Sequence, residues 1–131
     1  DFGMRGEVDL PLALDYYDRP RQMVDFESGK PALTVYEVLS DDVDRERRGG
    51  ILVRFFPQTG RTHQLRVHAA SSQGLGRPIK GDRLYGGMAT AVADGADESV
   101  RGALMLHAEY IKFTHPVTGR VIEFSSEPSW L

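Results

Sequence analysis

The chain has 131 residues, of which 40% are hydrophobic and 27% charged, with a formal net charge of −3. That length and balance suit one folded, soluble domain or a large piece of one. Without cysteine, disulfides and thiolate metal sites are excluded, as fits a cytoplasmic protein. No apolar run approaches a bilayer span and no secretory signal opens the chain, so no membrane partner is expected. The opening Asp1-Phe2-Gly3, without an initiator Met, reads as the middle of a longer sequence. A net negative charge argues mildly against nucleic acid as partner, because such proteins usually carry a basic excess. The distribution weakens that objection. Of the 16 basic residues 13 are Arg, suited to bidentate phosphate contacts and to stacking on bases, and the acids gather elsewhere, in Asp41 to Asp44 and Asp94 to Glu98. A GC-rich genome would account for the Arg content equally well.

In chain order, Glu7 to Leu12 is a short extended stretch ended by Pro11 and Asp15. Tyr16 to Lys30 is polar and, with Pro20 and Gly29, reads as a loop. Leu33–Leu39 is rich in β-branched and aromatic residues and predicts a strand. A charged turn, Ser40 to Gly50, leads to a second strand, Ile51–Phe56, so the pair predicts a hairpin with a long loop. Past Thr59-Gly60 the spacing of Leu65, His68, Ala69 and Ser72 predicts a helix near Thr62–Ser72, capped by Thr62 or Thr59 and ended by Gly74 to Gly76. Residues 90–101 read as a surface loop. Leu104–Phe113 predicts a late strand, turned by His115-Pro116-Val117-Thr118-Gly119 into Val121–Phe124. The expected fold class is α+β: a mixed, mainly antiparallel sheet with one principal helix.

The chemically informative run is Gly60-Arg61-Thr62-His63-Gln64-Leu65-Arg66-Val67-His68. It places two Arg, two His and a Gln on two turns of one helix, with His63 and Arg66 on one face and Leu65 and His68 on another. A helix start rich in cations would suit a phosphate or carboxylate. A solvated face, with His68 as a hydrogen-bonded core histidine, explains the same pattern. His63 and His68 are five apart, on different faces, so no metal site is expected.

The G-R-T-H-Q-L-R-V-H order resembles the signature segment of the RluA-type RNA pseudouridine synthases. Three further runs match that family in the same order: Gly29-Lys30-Pro31-Ala32-Leu33-Thr34-Val35-Tyr36, then Pro78-Ile79-Lys80-Gly81-Asp82-Arg83-Leu84-Tyr85-Gly86, then Leu106-His107-Ala108 ahead of His115-Pro116. Val8 to Leu12 and Arg19-Pro20 are similar to bacterial dual-specificity members that modify ribosomal and transfer RNA. The resemblance runs from about Gly6 to Pro128.

The resemblance implies that the chain, residues 1–131, is the C-terminal portion of a catalytic domain that isomerises uridine to pseudouridine in RNA. It implies no organic cofactor and no metal, with the target nucleotide flipped out of its helix. In the family an aspartate in an H-R-L-D context attacks at the sugar, a tyrosine packs on the base, and the arginine of Q-L-R pairs with the aspartate. Only the last has a counterpart here, Arg66, the expected catalytic residue, which would hold the carboxylate ionised. No H-R-L-D run occurs in the sequence, so the chain alone is expected to be inactive. Asp82 is expected to brace its turn rather than replace that aspartate, and Tyr36 and Tyr110 to be core. Arg61 and Lys30 are candidates for RNA contact, though both would pass for ordinary surface charges. His63, Gln64, Tyr85 and His107 are expected to support the motif's geometry. With its partner outside the sequence, Arg66 is expected to point into a cleft beside Arg61, either exposed, mobile, or paired with an anion from solvent or another chain. Uncovered apolar surface would invite self-association. The competing reading is an RNA-binding module without catalysis.

Overall fold

The computed structural model describes residues 4–40, 50–86 and 104–129. The charged turn at 41–49 and the surface loop expected at 90–101 lie outside these described residues.

The elements are β1 (Arg5–Asp9), β2 (Leu12–Leu14), β3 (Gln22–Val24), β4 (Leu33–Ser40), β5 (Leu52–Pro57), α1 (Gln64–Ala70), β6 (Tyr110–Thr114) and β7 (Val121–Ser125). They form three antiparallel sheets, ordered β1-β4-β5, β2-β3 and β6-β7. The α+β reading therefore stands, but the expected mixed sheet does not: every strand pair among the described residues is antiparallel.

Alternation in β4 explains how the sheet meets the helix. Thr34, Tyr36 and Val38 are buried on one face, while Leu33, Val35 and Glu37 between them are only half-buried. Tyr36 and Val38 join Val8 and Leu10 of the neighbouring strand segment in one core cluster, with Val24, Ile51, Val53, Phe55 and Leu75 against it. A second cluster of Leu12, Ala32, Val67 and Tyr85 joins the β2-β3 hairpin to α1. The β4-β5 hairpin has the expected antiparallel register, Thr34 opposite Pro57 through Val38 opposite Val53, with an irregularity before Ser40.

Four expectations change. The segment 16–30 is not simply a loop, because Gln22–Val24 pairs with Leu12–Leu14. The helix is shorter than Thr62–Ser72: His63 adopts a left-handed backbone (φ 54°) that blocks continuation towards Thr62, and neither Thr62 nor Thr59 caps it. At its other end Ser71 turns extended (ψ 136°). Gly74 then approaches the His68 carbonyl so closely that a Cβ there would collide with it. Strand β6 begins at Tyr110 rather than Leu104, because its ladder partner among the described residues, β7, ends at Ser125, opposite Tyr110. Residues 104–109 are tied by single bonds instead, Met105 N–H to Lys80 O and Ser126 N–H to Glu109 O. Finally, Tyr110 is not core. It is 55% exposed and its hydroxyl donates to Glu123 at 2.7 Å along the hairpin.

Candidate active site

Gln64 is the fixed point of the signature segment. It is buried at the start of α1, and its carboxamide fills all four of its hydrogen-bonding positions. Oε1 accepts from Thr59 Oγ1 (2.7 Å) and Arg61 N–H (3.0 Å); Nε2 donates to Leu33 O (3.0 Å) and Thr34 Oγ1 (3.0 Å). The network runs on inward. His68 Nε2 donates to Leu10 O at 2.9 Å, so Nδ1 is left as acceptor and takes the Thr34 hydroxyl proton at 2.8 Å. Burial lowers the His68 pKa, against a smaller opposing effect of the Leu10 carbonyl. The imidazole is therefore a neutral cross-link between β4, α1 and Leu10, as the core-histidine alternative has it.

The second half of the site is the turn at Asp82. Its carboxylate is fully buried, and Oδ1 accepts from the backbone N–H groups of Leu84 and Tyr85, both at 3.0 Å. The same carboxylate takes a bidentate pair from Arg66, Nε to Oδ2 at 2.9 Å and Nη2 to Oδ1 at 2.7 Å. Burial alone would push the Asp82 carboxyl up; the Arg66 hydrogen bonds and charge, with the two backbone donors, outweigh it and hold the pKa below the usual carboxylate value. Arg66 is thus neither loose nor dependent on an outside anion. Its side chain is 20% exposed, and its carboxylate partner comes from its own chain.

Tyr85 links this pair to the rest. Its ring has Arg66 Cζ 5.1 Å and Arg21 Cζ 5.2 Å from its centroid. Its hydroxyl accepts from Gln22 N–H (2.9 Å) and, because burial keeps the phenol protonated, gives its proton to His63 Nδ1 at 2.7 Å. Burial first, and the Arg66 charge second, lower the His63 pKa and keep the ring neutral. His63 and Arg66 therefore share a face, as their spacing predicts, and converge on one tyrosine.

The two RNA-contact candidates lie at the edge of this arrangement. Arg61 Nε donates to Pro31 O at 2.8 Å, so it is anchored to the entrance of β4. Lys30 is exposed, and its backbone bridges Leu12. His107 Nε2 donates to Ser126 O at 2.9 Å, on the β6-β7 side. A shallow recess lined by Arg54, Phe56, Glu109, Tyr110 and Ser125 shares no residue with the Arg66 cluster, and its two charges pair with each other. Among the described residues no group of three or more His, Asp or Glu converges as a metal site, and no helix is long and apolar enough to cross a membrane.

Arg21, Gln22 and Thr34 are given no role of their own by the sequence. A threonine in a strand carries no local signal of the histidine it meets 34 positions away.

Residues 3–71 match the sequence profile of the RNA pseudouridylate synthase family, more than half of the chain. The chain belongs to that family. It is 43% identical over 126 residues to the dual-specificity RNA pseudouridine synthase RluA of Pasteurella multocida, covering 96% of this chain and 51% of that protein. The RluA of Haemophilus ducreyi is 41% identical over 128 residues (98% and 51%), and that of Escherichia coli K12 43% over 121 residues (92% and 49%). The chain spans about half the length of these relatives.

Proposed function

We propose that this chain supplies the arginine-bearing part of an active site that isomerises uridine to pseudouridine in RNA. The observation that carries the reading is the Arg66–Asp82 pair. A guanidinium has five N–H donors, and Asp82 occupies only its Nε/Nη2 edge. The remaining N–H groups have no partner among the described residues, so a plane already fixed by Asp82 and Tyr85 can accept a second carboxylate. In an RluA-type enzyme that carboxylate is the aspartate of an H-R-L-D run. Arg66 would keep it ionised and aimed at the sugar while the N-glycosidic bond breaks and the base re-attaches through C5.

On this reading Arg66 is the catalytic residue, Arg61 and Lys30 contact RNA phosphates, and His63, Gln64, Asp82, Tyr85 and His107 hold the frame. The relatives' names support RNA as the substrate; on this reading its classes are ribosomal and transfer RNA, acted on in the cytoplasm without cofactor or metal. The second reading, an RNA-binding module without chemistry, is favoured by the absence of H-R-L-D from these 131 residues.

Tritium release from RNA labelled at uridine C5 separates the two. The chain alone should release none. A chimera in which it replaces the matched residues of the Escherichia coli relative should release tritium. Conversion by the isolated chain would contradict the proposal, as would a folded, RNA-binding chimera that stays inert.

A further inference from the structure

Five of the described arginines are held in two ways. Arg5, Arg54 and Arg66 donate to the carboxylates of Glu37, Glu109 and Asp82, which neutralise them. Arg21 and Arg61 donate to backbone carbonyls, of Leu84 and Pro31, which fix the guanidinium but leave its charge intact. Arg61 is already a candidate RNA contact. Both are half-buried, but Arg21 has a second hold: besides the Nη1 bond to Leu84 O, its guanidinium lies 5.2 Å from the Tyr85 centroid, on the tyrosine that Arg66 also touches.

Ordering a long side chain costs rotamer entropy, and one neutral hydrogen bond offsets that only in part. A rigid, un-neutralised cation on the same tyrosine as the proposed catalytic arginine is suited to an anion that arrives from outside. It presents its remaining N–H groups in a fixed fork that matches a phosphate. We infer that Arg21 is an RNA-phosphate contact, anchored by Leu84 and Tyr85 so that the backbone is gripped beside Arg66. This rests on the RNA reading above and goes beyond it by adding a contact from the β2-β3 hairpin.

The test is the salt dependence of binding by the 131-residue chain, measured by fluorescence anisotropy with a labelled RNA stem-loop carrying a loop uridine. Each phosphate contact contributes about 0.7–0.9 to the slope of log affinity against log salt. Arg21→Gln should lower the slope by about that amount, and Arg21→Lys, which keeps the charge, should retain it. A purely structural arginine would lower affinity through misfolding and leave the slope unchanged, so an unchanged slope in folded Arg21→Gln overturns the inference. Should Arg21→Gln fail to fold by circular dichroism, Arg21→Met, which keeps an unbranched stem against Tyr85, decides on the same criterion: a slope lowered by one contact supports the inference and an unchanged slope overturns it. If the unsubstituted chain shows no salt-dependent binding, the RNA reading itself falls, and this assignment with it.

Discussion

Gln64 shows how much one buried amide can fix. Its four partners belong to β4, to the turn before α1 and to the approach from β5, so losing it strands several groups at once. Gln64→Leu keeps the volume and removes every bond, leaving buried Thr34 short of a donor and Arg61 N–H without its acceptor, while Leu33 O keeps Gln58 N–H. Each stranded buried group costs about 1–3 kcal/mol, so urea unfolding should show a loss of that order or greater; a change within experimental error would refute the network's importance. Arg66→Met should cost about 3 kcal/mol, since it leaves the buried Asp82 carboxylate without its counter-charge. A double substitution, Arg66→Met with Asp82→Asn, should recover part of that loss. The histidines set a pH dependence. His63 and His68 both have pKa values below histidine's usual ~6.5. The unfolded chain therefore binds protons that the folded chain refuses, and stability is greatest above that value and falls as pH drops through it. Asp82, depressed below its ordinary value, adds a further loss only as pH falls through the carboxylate range. The urea midpoint should decline between about pH 7.5 and 5.5, and a flat profile would contradict the neutral relay.

Among the elements, the β6-β7 hairpin stands apart. Its register sets Ile111 opposite Phe124 and Phe113 opposite Ile122, so one face is apolar, with the Phe113 and Phe124 rings 6.5 Å apart. Ile111, Phe113 and Phe124 are exposed among the described residues. Such a face drives association. Sedimentation velocity should show the chain self-associating as concentration rises and Phe124→Lys shifting it towards monomer; a chain monomeric throughout would remove this point. Legibility also divides by element. Strands β4, β5 and β7 lie within a residue or so of the sequence reading because β-branched and aromatic alternation is itself the signal. Strand β3 was hidden because its three residues are held from far along the chain, by Tyr85 on Gln22 and by Leu84 on the adjacent Arg21. The helix start was misplaced because His63 gives its ring to Tyr85 and its backbone to a left-handed turn, a tertiary outcome that periodicity cannot express. The motif residues were legible; that Arg66 finds Asp82 was not, since the pair joins two separate motifs 16 residues apart.

For the whole molecule, a net charge of −3 means that the proposed RNA affinity would have to come from where cations sit rather than how many there are. Arg21, Arg61 and Lys30 have no carboxylate partners among the described residues, while Arg5 and Arg54 are neutralised away from the signature segment. The central claim is that Arg66, fixed by Asp82 and Tyr85, organises a second carboxylate for catalysis. The most direct measurement is the single-turnover rate of pseudouridine formation by the chimera, with Arg66 intact and with Arg66→Lys, alongside RNA affinity. Lysine keeps the charge but cannot span Asp82 and a second carboxylate with one rigid plane. With Arg66→Lys the rate should be lower by about 100-fold or more, with RNA affinity nearly unchanged. A normal single-turnover rate in a folded Arg66→Lys chimera would contradict it.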